Sequence, residues 1–509
     1  MTGEAEMPSQ PIDRRTFLGG ALGAGMAVAG LPHLQRSAGA ATVARQAGRL
    51  LVSSDSILDH PSAECPIDTI VIVMMENRSF DHYLGWLGDD TEYLEAGRRR
   101  HGLDFSVNAK TRQDFVNAQG SQVPTRSAAA LDPEKLESRG CTFADPGHSW
   151  DLARAQRDGG FLAGGSGVDD FYAITYYTAD QLPVYEALSR RFTIFDRWHS
   201  SLLGPTFPNR QYFLSAQSEG RKDNAPGAPV GIFRAETIVD RLGAAGVPVG
   251  YYYTSVPLLA LWPLERMAPF IRPLDRFFED AATGNLPRVV FVEPHFGAGE
   301  AHRTDDHPHA DVELGQRWVR EIFGAFASSV HWQTGAFILT YDEGGGFFDH
   351  VRPPILPDAR ASKVDQNNFG QAGFRVPAFL ASPYARRGDV DHRLYDHTSI
   401  MRLLEWRFLG APPEGAGRRG RWALTRRDRM ANNMGKTLRN IRPDPALHFD
   451  PAVTVPQPSA ACTPAQAAAR SPDPDQDPDP FDRPELLDLA GTFPHATHRP
   501  WLADVTTPL

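Results

Sequence analysis

Six stretches of the chain are dense in apolar, often β-branched residues: 67–75, 191–198, 247–253, 288–293, 335–341 and 376–382. Apolar runs of that length read as strands buried on both faces. Helical patterns fall between them at 151–157, 182–188, from Thr206 to Leu214, at 312–326 and at 398–409. In the 312–326 segment, Val319, Ile322, Phe323 and Phe326 form a stripe at helical spacing, which predicts core packing. Strands alternating with helices predict an α/β fold.

Two of the strands run directly into acids. The first is followed by Glu76 and Asn77, the fifth by Asp342 and Glu343 and then three glycines. Ligands of open α/β sheets sit beyond the carboxyl ends of the strands. Adjacent carboxylates repel each other, and a cation among Glu76, Asn77, Asp342 and Glu343 relieves that repulsion. Oxygen donors suit one divalent ion such as calcium, magnesium or manganese, with calcium favoured. The bland alternative is a strand cap at Glu76 and a turn at Asn77. Thr206 is expected as the N-cap of a helix that tolerates Pro208 in its first turn. Such an end offers free N–H groups to an anion, and a metal-activated hydroxyl there can attack phosphorus. An ordinary cap is the commoner use of Thr-x-Pro. Arg210 lies one turn on and is read equally as a phosphate ligand or a structural ion pair. A loop dense in His302, Asp305, Asp306, His307, His309 and Asp311 offers metal ligands and proton donors. A glycine-rich loop at 159–167 is expected near the mouth of a site.

The 509 residues carry a net charge of -10, which argues against nucleic acid as the main partner. Three cysteines are too few for a disulfide scaffold; they leave room for one bridge, with Cys65 and Cys141 as the candidate pair. Arg14-Arg15 followed by an apolar, glycine-rich stretch and Ala38-Gly39-Ala40 reads as a twin-arginine signal over residues 1–40. The mature protein is then expected outside the cytoplasm, delivered by the twin-arginine export machinery, without a transmembrane anchor. A linker at 41–64, a catalytic domain at 65–441 and an extension at 442–509 complete the expected organisation. The extension contains a Pro/Asp-rich tract at 471–480, with a short segment after it expected to fold back onto the domain.

Four motifs in order carry a resemblance: ENRSFDHYLG at 76–85, TFPNR at 206–210, DEGGGFFDHV at 342–351 and GFRVPAFLASP at 373–383. With them the chain resembles the bacterial non-specific phospholipase C and acid phosphatase family, within the alkaline-phosphatase-like superfamily. The resemblance implies a largely parallel central sheet with helices on both faces, and a metal-assisted phosphoesterase. It implies that Glu76, Asn77, Thr206, Asp342 and Glu343 surround the metal, with Thr206 as nucleophile. It places histidines around the phosphoryl group, for which His148, His307, His350 and His295 are the candidates. The expected substrate is a phospholipid of the phosphatidylcholine type, with a smaller phosphomonoester as the alternative. Trp86, Trp150, Tyr176, Tyr177 and Trp198 are candidates for a choline pocket. A sulfatase is excluded, because threonine cannot become formylglycine. A non-catalytic, metal-dependent surface-binding protein is the remaining class.

Overall fold

The strand β1 (Thr69–Met75) is buried at all seven residues and lies near the middle of an eight-stranded sheet. With β2 (Thr193–Phe195), β3 (Val249–Tyr253), β4 (Ile271–Pro273), β5 (Val289–Val292), β6 (Gly335–Tyr341), β7 (Ala378–Ala381) and β8 (Asp389–Asp391), the spatial order is β8-β2-β7-β6-β1-β5-β3-β4. Every neighbouring pair is parallel except the two made by β7. This is the largely parallel α/β sheet the sequence predicts. The computed structural model describes residues 55–500 except 118, 131–139, 141–144, 163–170, 225–230, 297–302, 309, 416–421, 440–441, 448–452, 456–492 and 494–495. The expected signal segment, most of the glycine-rich loop, Cys141, Cys462, His302, His309 and the 471–480 tract lie outside those residues.

The main helices are α1 (Phe80–Leu84), α2 (Thr91–His101), α3 (Trp150–Gly159), α4 (Pro183–Arg191), α5 (Thr206–Ser215), α6 (Ile238–Ala244), α7 (Leu274–Thr283), α8 (Val312–Ser328) and α9 (Thr398–Leu409), with two short ones at Leu264–Met267 and Arg426–Met430. They cover the sheet in two groups, α4 and α7 against α8, and α5 and α6 against α9. β1, β3, β5 and β6 are buried at every residue, as strands covered on both faces must be. The predicted stripe Val319, Ile322, Phe323 and Phe326 is fully buried, with Phe323 against Phe337 of β6. No helix among the described residues is long and apolar enough to cross a membrane.

Part of the stretch expected as a linker packs onto the domain: Ser56, Ile57 and Leu58 are buried, and Ser56 pairs with Arg439, whereas Asp59, Pro61, Ala63 and Glu64 are exposed. At the other end, Ala496 donates its N–H to Thr254 O at 3.0 Å, and Thr497 and His498 bond Asp275 at the start of α7. Cys65 is a buried free thiol rather than half of a bridge, and burial pushes its pKa up.

Register decides where the acids go. Met75 pairs with Tyr341, so Glu76 and Asp342 leave their strands side by side. Val292 of β5 pairs with Val73, which brings Glu293 to the same edge. Two turns then nest against each other. Asn77 is left-handed at φ 58°, which an asparagine tolerates, and Gly345 has the same φ of 58°. A Cβ on Gly345 would stand 2.3 Å from the Asn77 carbonyl oxygen. Gly345→Ala is therefore expected to lower stability by more than ~1 kcal/mol, measured by urea denaturation, and to reduce activity with it. A variant as stable as the parent would show that this turn does not hold Asn77.

Candidate active site

Helix α5 is buried at every residue, and its first turn explains why. Asn209 accepts from Leu202 N at 2.8 Å and donates to Gly204 O at 2.8 Å, locking the loop that feeds the helix. The N-cap is Pro205, and Thr206 is the first helical residue rather than the expected cap. A proline at the cap and another in the first turn fix φ without needing the missing N–H groups, so the threonine side chain has no capping duty. The Phe207 N–H is bonded to Asn224 Oδ1 at 2.9 Å and is not open to an anion.

Arg210 lies one turn beyond Thr206, on the same face of α5. Its Nη2 is 3.1 Å from Glu76 Oε1, its Nε 3.2 Å from Asp342 Oδ2, and its Nη1 4.0 Å from Glu293 Oε1. Nη2 also reaches the carbonyls of Met74 and Met75. The structural ion pair is thus the reading that describes Arg210. Glu293 has no assigned role in the sequence reading, although β5 running into an acid carries the same signal as β1 and β6. Burial raises its carboxyl to about 7, and Tyr251 donates to it.

Three buried carboxyls, Glu76, Glu293 and Asp342, gather around this one guanidinium, and buried Glu343 feels the charges of Asp342 and Glu76. Burial raises Asp342, against the pull of Arg210. Burial and then the Asp342 charge hold Glu343 well above the usual carboxylate range. His397 braces the same strand end. Its Nε2 donates to Asp342 O at 2.6 Å, its Nδ1 accepts from Trp198 Nε1 at 3.4 Å, and burial lowers its pKa to about 4.

His148 joins the acids from outside. Its Nδ1 donates to Pro146 O at 2.8 Å, which leaves the Nε2 lone pair 3.3 Å from Asn77 Nδ2 and 3.5 Å from Glu343 Oε1. His307 is fixed the same way by Pro308 O at 2.7 Å, and its Nε2 is 3.5 Å from Asp145 Oδ2. Asp145 also lies 3.7 Å from His148 Nδ1, so the two histidines and this acid form one cluster. Asp145 was missed by sequence reasoning; its partners stand 3 and 162 positions away, and only folding joins them.

His350 is placed elsewhere. It bonds Asp81 and donates to Asn108 Oδ1 at 2.8 Å, within a cluster of Asp81, Asp349 and Arg375. Asp81 draws it there, so it is not one of the groups around the gathered acids. His295 is buried, and its backbone N–H donates to Thr304 Oγ1 at 2.9 Å. Among the described residues of the 302–311 loop, Asp305 pairs with Arg303 at 2.9 Å, Asp306 accepts from Tyr341 at 2.6 Å, and Asp311 caps α8. The aromatic pocket does not form. Trp86, Tyr177 and Trp198 are core, Trp198 stacks on Tyr395, and Trp150 carries Arg154 3.6 Å over its ring.

Among the expected ligands, three oxygens are buried without a hydrogen-bond partner: Asn77 Oδ1, Thr206 Oγ1 and Glu343 Oε1. Such oxygens cost ~1–3 kcal/mol each unless something satisfies them. An amide, a hydroxyl and carboxylates are the donor set of a hard divalent cation, and the excess of buried negative charge fits one. Arg210→Met leaves Glu76 and Asp342 unbalanced. It is expected to cost ~3–5 kcal/mol by chemical denaturation without divalent ions, and a loss under ~1 kcal/mol would contradict this charge balance.

The profile of the Phosphoesterase family matches residues 67–409. Among curated relatives, the Arabidopsis thaliana non-specific phospholipase C1 is 34% identical over 391 residues, covering 69% of each chain. The Arabidopsis non-specific phospholipase C6 is 30% identical over 404 residues, covering 72% of each. Phospholipase C B of Mycobacterium tuberculosis is 30% identical over 436 residues, covering 73% of this chain and 80% of its own.

Proposed function

The chain belongs to the Phosphoesterase family and is a phosphoric ester hydrolase, and from that premise we propose that it is an exported phospholipase C acting on phosphatidylcholine-like lipids through Thr206. The observation that carries the reading is the Thr206 hydroxyl, buried, without a hydrogen-bond partner, one turn from the arginine that bridges Glu76 and Asp342. The names of the relatives support the phospholipase C reading, and the twin-arginine pattern supports export.

Glu76, Asn77, Thr206, Asp342 and Glu343 are the residues that would hold a divalent cation. When bound, that ion supplies positive charge for a phosphate oxygen and lowers the pKa of the threonine hydroxyl. The chain's own residues do the rest. Rigid placement of Thr206 on a buried helix aligns its oxygen for in-line attack on phosphorus. His148 and His307, with Asp145 between them, hold a proton for the departing diacylglycerol oxygen; an imidazolium at His307 Nε2 would point at the Asp145 carboxylate. This step gives diacylglycerol and a phosphothreonine still esterified to choline, the hydroxyl proton leaving to solvent; water then cleaves the bond to Thr206, releasing phosphocholine and regenerating the hydroxyl.

A phosphoester panel with metal analysis tests the reading. Phosphatidylcholine should be cleaved, chelation should abolish turnover, and calcium should restore it. Thr206→Ala should lose on the order of 10³-fold or more of kcat while keeping the fold, and wild-type enzyme quenched during phosphatidylcholine turnover should carry phosphocholine on the peptide containing Thr206. Turnover of nitrophenyl phosphate with none of phosphatidylcholine would make the enzyme a phosphomonoesterase. Full activity in Thr206→Ala would remove the threonine from the chemistry.

A further inference from the structure

Of the large apolar side chains that stand exposed among the described residues, two lie nine positions apart in one loop, Ile355 at 60% and Val364 at 59%. The loop, residues 351–367, follows the third motif and leaves the carboxyl edge of β6, the edge that carries the site. It is firmly tied. Ile355 makes a bridge with Gln371, and Leu356 N bonds Gly370 O at 2.7 Å. Asp358 accepts from Tyr212 of α5 at 2.8 Å, Asp365 takes both Nη atoms of Arg157 at 2.9 Å, and Gln366 accepts from Trp150 at 3.0 Å. Its inner side borders a cluster of Trp150, Leu202, Tyr212 and Phe369, two of which stand on the helices that follow His148 and Thr206. With its backbone held, the loop cannot fold Ile355 and Val364 inward.

The same loop is cationic on its outer side. Arg360 and Lys363 are exposed and make no ion pair with any described residue. Its two acids are spent, Asp358 on Tyr212 and Arg427, Asp365 on Arg157. Lys222 adds a third cation, bonded to Asn367 at 3.0 Å and lying 5.1 Å over the Trp150 ring. In a chain of net charge -10, a braced loop that offers two exposed aliphatic side chains and, between them in sequence, two unpaired cations matches the chemistry of one partner, a bilayer surface bearing anionic headgroups. Stable attachment to such a surface takes two signals, apolar insertion and charge, and both are present.

We propose that residues 351–367 dock the enzyme on anionic lipid surfaces, with Ile355 and Val364 entering the headgroup–acyl boundary and Arg360 and Lys363 meeting the headgroups. This rests on the phospholipase reading for its biological sense, but not for its test.

The test uses the full chain with vesicles of phosphatidylcholine mixed with phosphatidylglycerol, read by co-sedimentation, beside turnover of water-soluble nitrophenyl phosphocholine and nitrophenyl phosphate. Ile355→Ser with Val364→Ser should weaken vesicle association about tenfold or more. Arg360→Gln and Lys363→Gln should each weaken it roughly fivefold, an effect that added salt erases. Turnover of the soluble esters should stay at the wild-type level in all of them. Val330→Ser, at the amino edge of the sheet, should bind as wild type. Wild-type association by the loop variants, no association by the parent, or an equal loss of soluble turnover would each overturn the proposal. Loop-dependent association by a protein that cleaves no phospholipid would keep the docking surface and sink the phospholipase reading instead.

Discussion

The structure depends on the register of three adjacent parallel strands. Because β5, β1 and β6 run in step, Glu293, Glu76 and Asp342 reach one edge together, and Glu343 follows. Burying several carboxyls at one spot costs several kcal/mol per ion unless each is balanced. One guanidinium does part of this, and its position dictates that α5 must be buried from end to end. Arg210 thereby ties that helix to the acids, and Thr206 stands one turn before it. Negative charge beyond what Arg210 offsets, and oxygens without donors, are the features on which the proposed cation site rests.

A second arginine does for the scaffold what Arg210 does for the site. Arg375 bonds Asp349 at 2.9 Å and Asp81 at 3.0 Å, and donates to the carbonyls of Asn108 and Asp196. It thereby clasps the first, third and fourth motifs to one another. His350 belongs to this clasp. The oxygens of Asp81 and Asp349 are accounted for by Arg375, His350 and backbone N–H groups. The difference between the two clusters is satisfaction: the clasp is complete in itself, whereas Asn77, Thr206 and Glu343 have oxygens left over.

Much of this was legible in the sequence. Long apolar runs gave away β1 and β6, and their acidic continuations marked the edge before any folding. The four-residue spacing of Thr206 and Arg210 put both on one helical face. What could not be read was set by contacts between distant segments or by elements too short to show a period. β4 and β8 have three residues each, and nothing local announces that β7 runs against its neighbours. Asp145 acquires its place only when His307 arrives from another loop. The aromatic candidates failed because composition does not distinguish a ring in the core from one lining a pocket. Glu293 was the avoidable omission, since it repeats the strand-to-acid pattern.

The most direct test is an anomalous difference map from a crystal of the full chain soaked in manganese, a scatterer that takes calcium-type oxygen sites. One peak is predicted, coordinated by oxygens of Glu76, Asn77, Thr206, Asp342 and Glu343. A map with no peak there, or with its ion seated instead between Asp81, Asp349 and His350, would contradict the account.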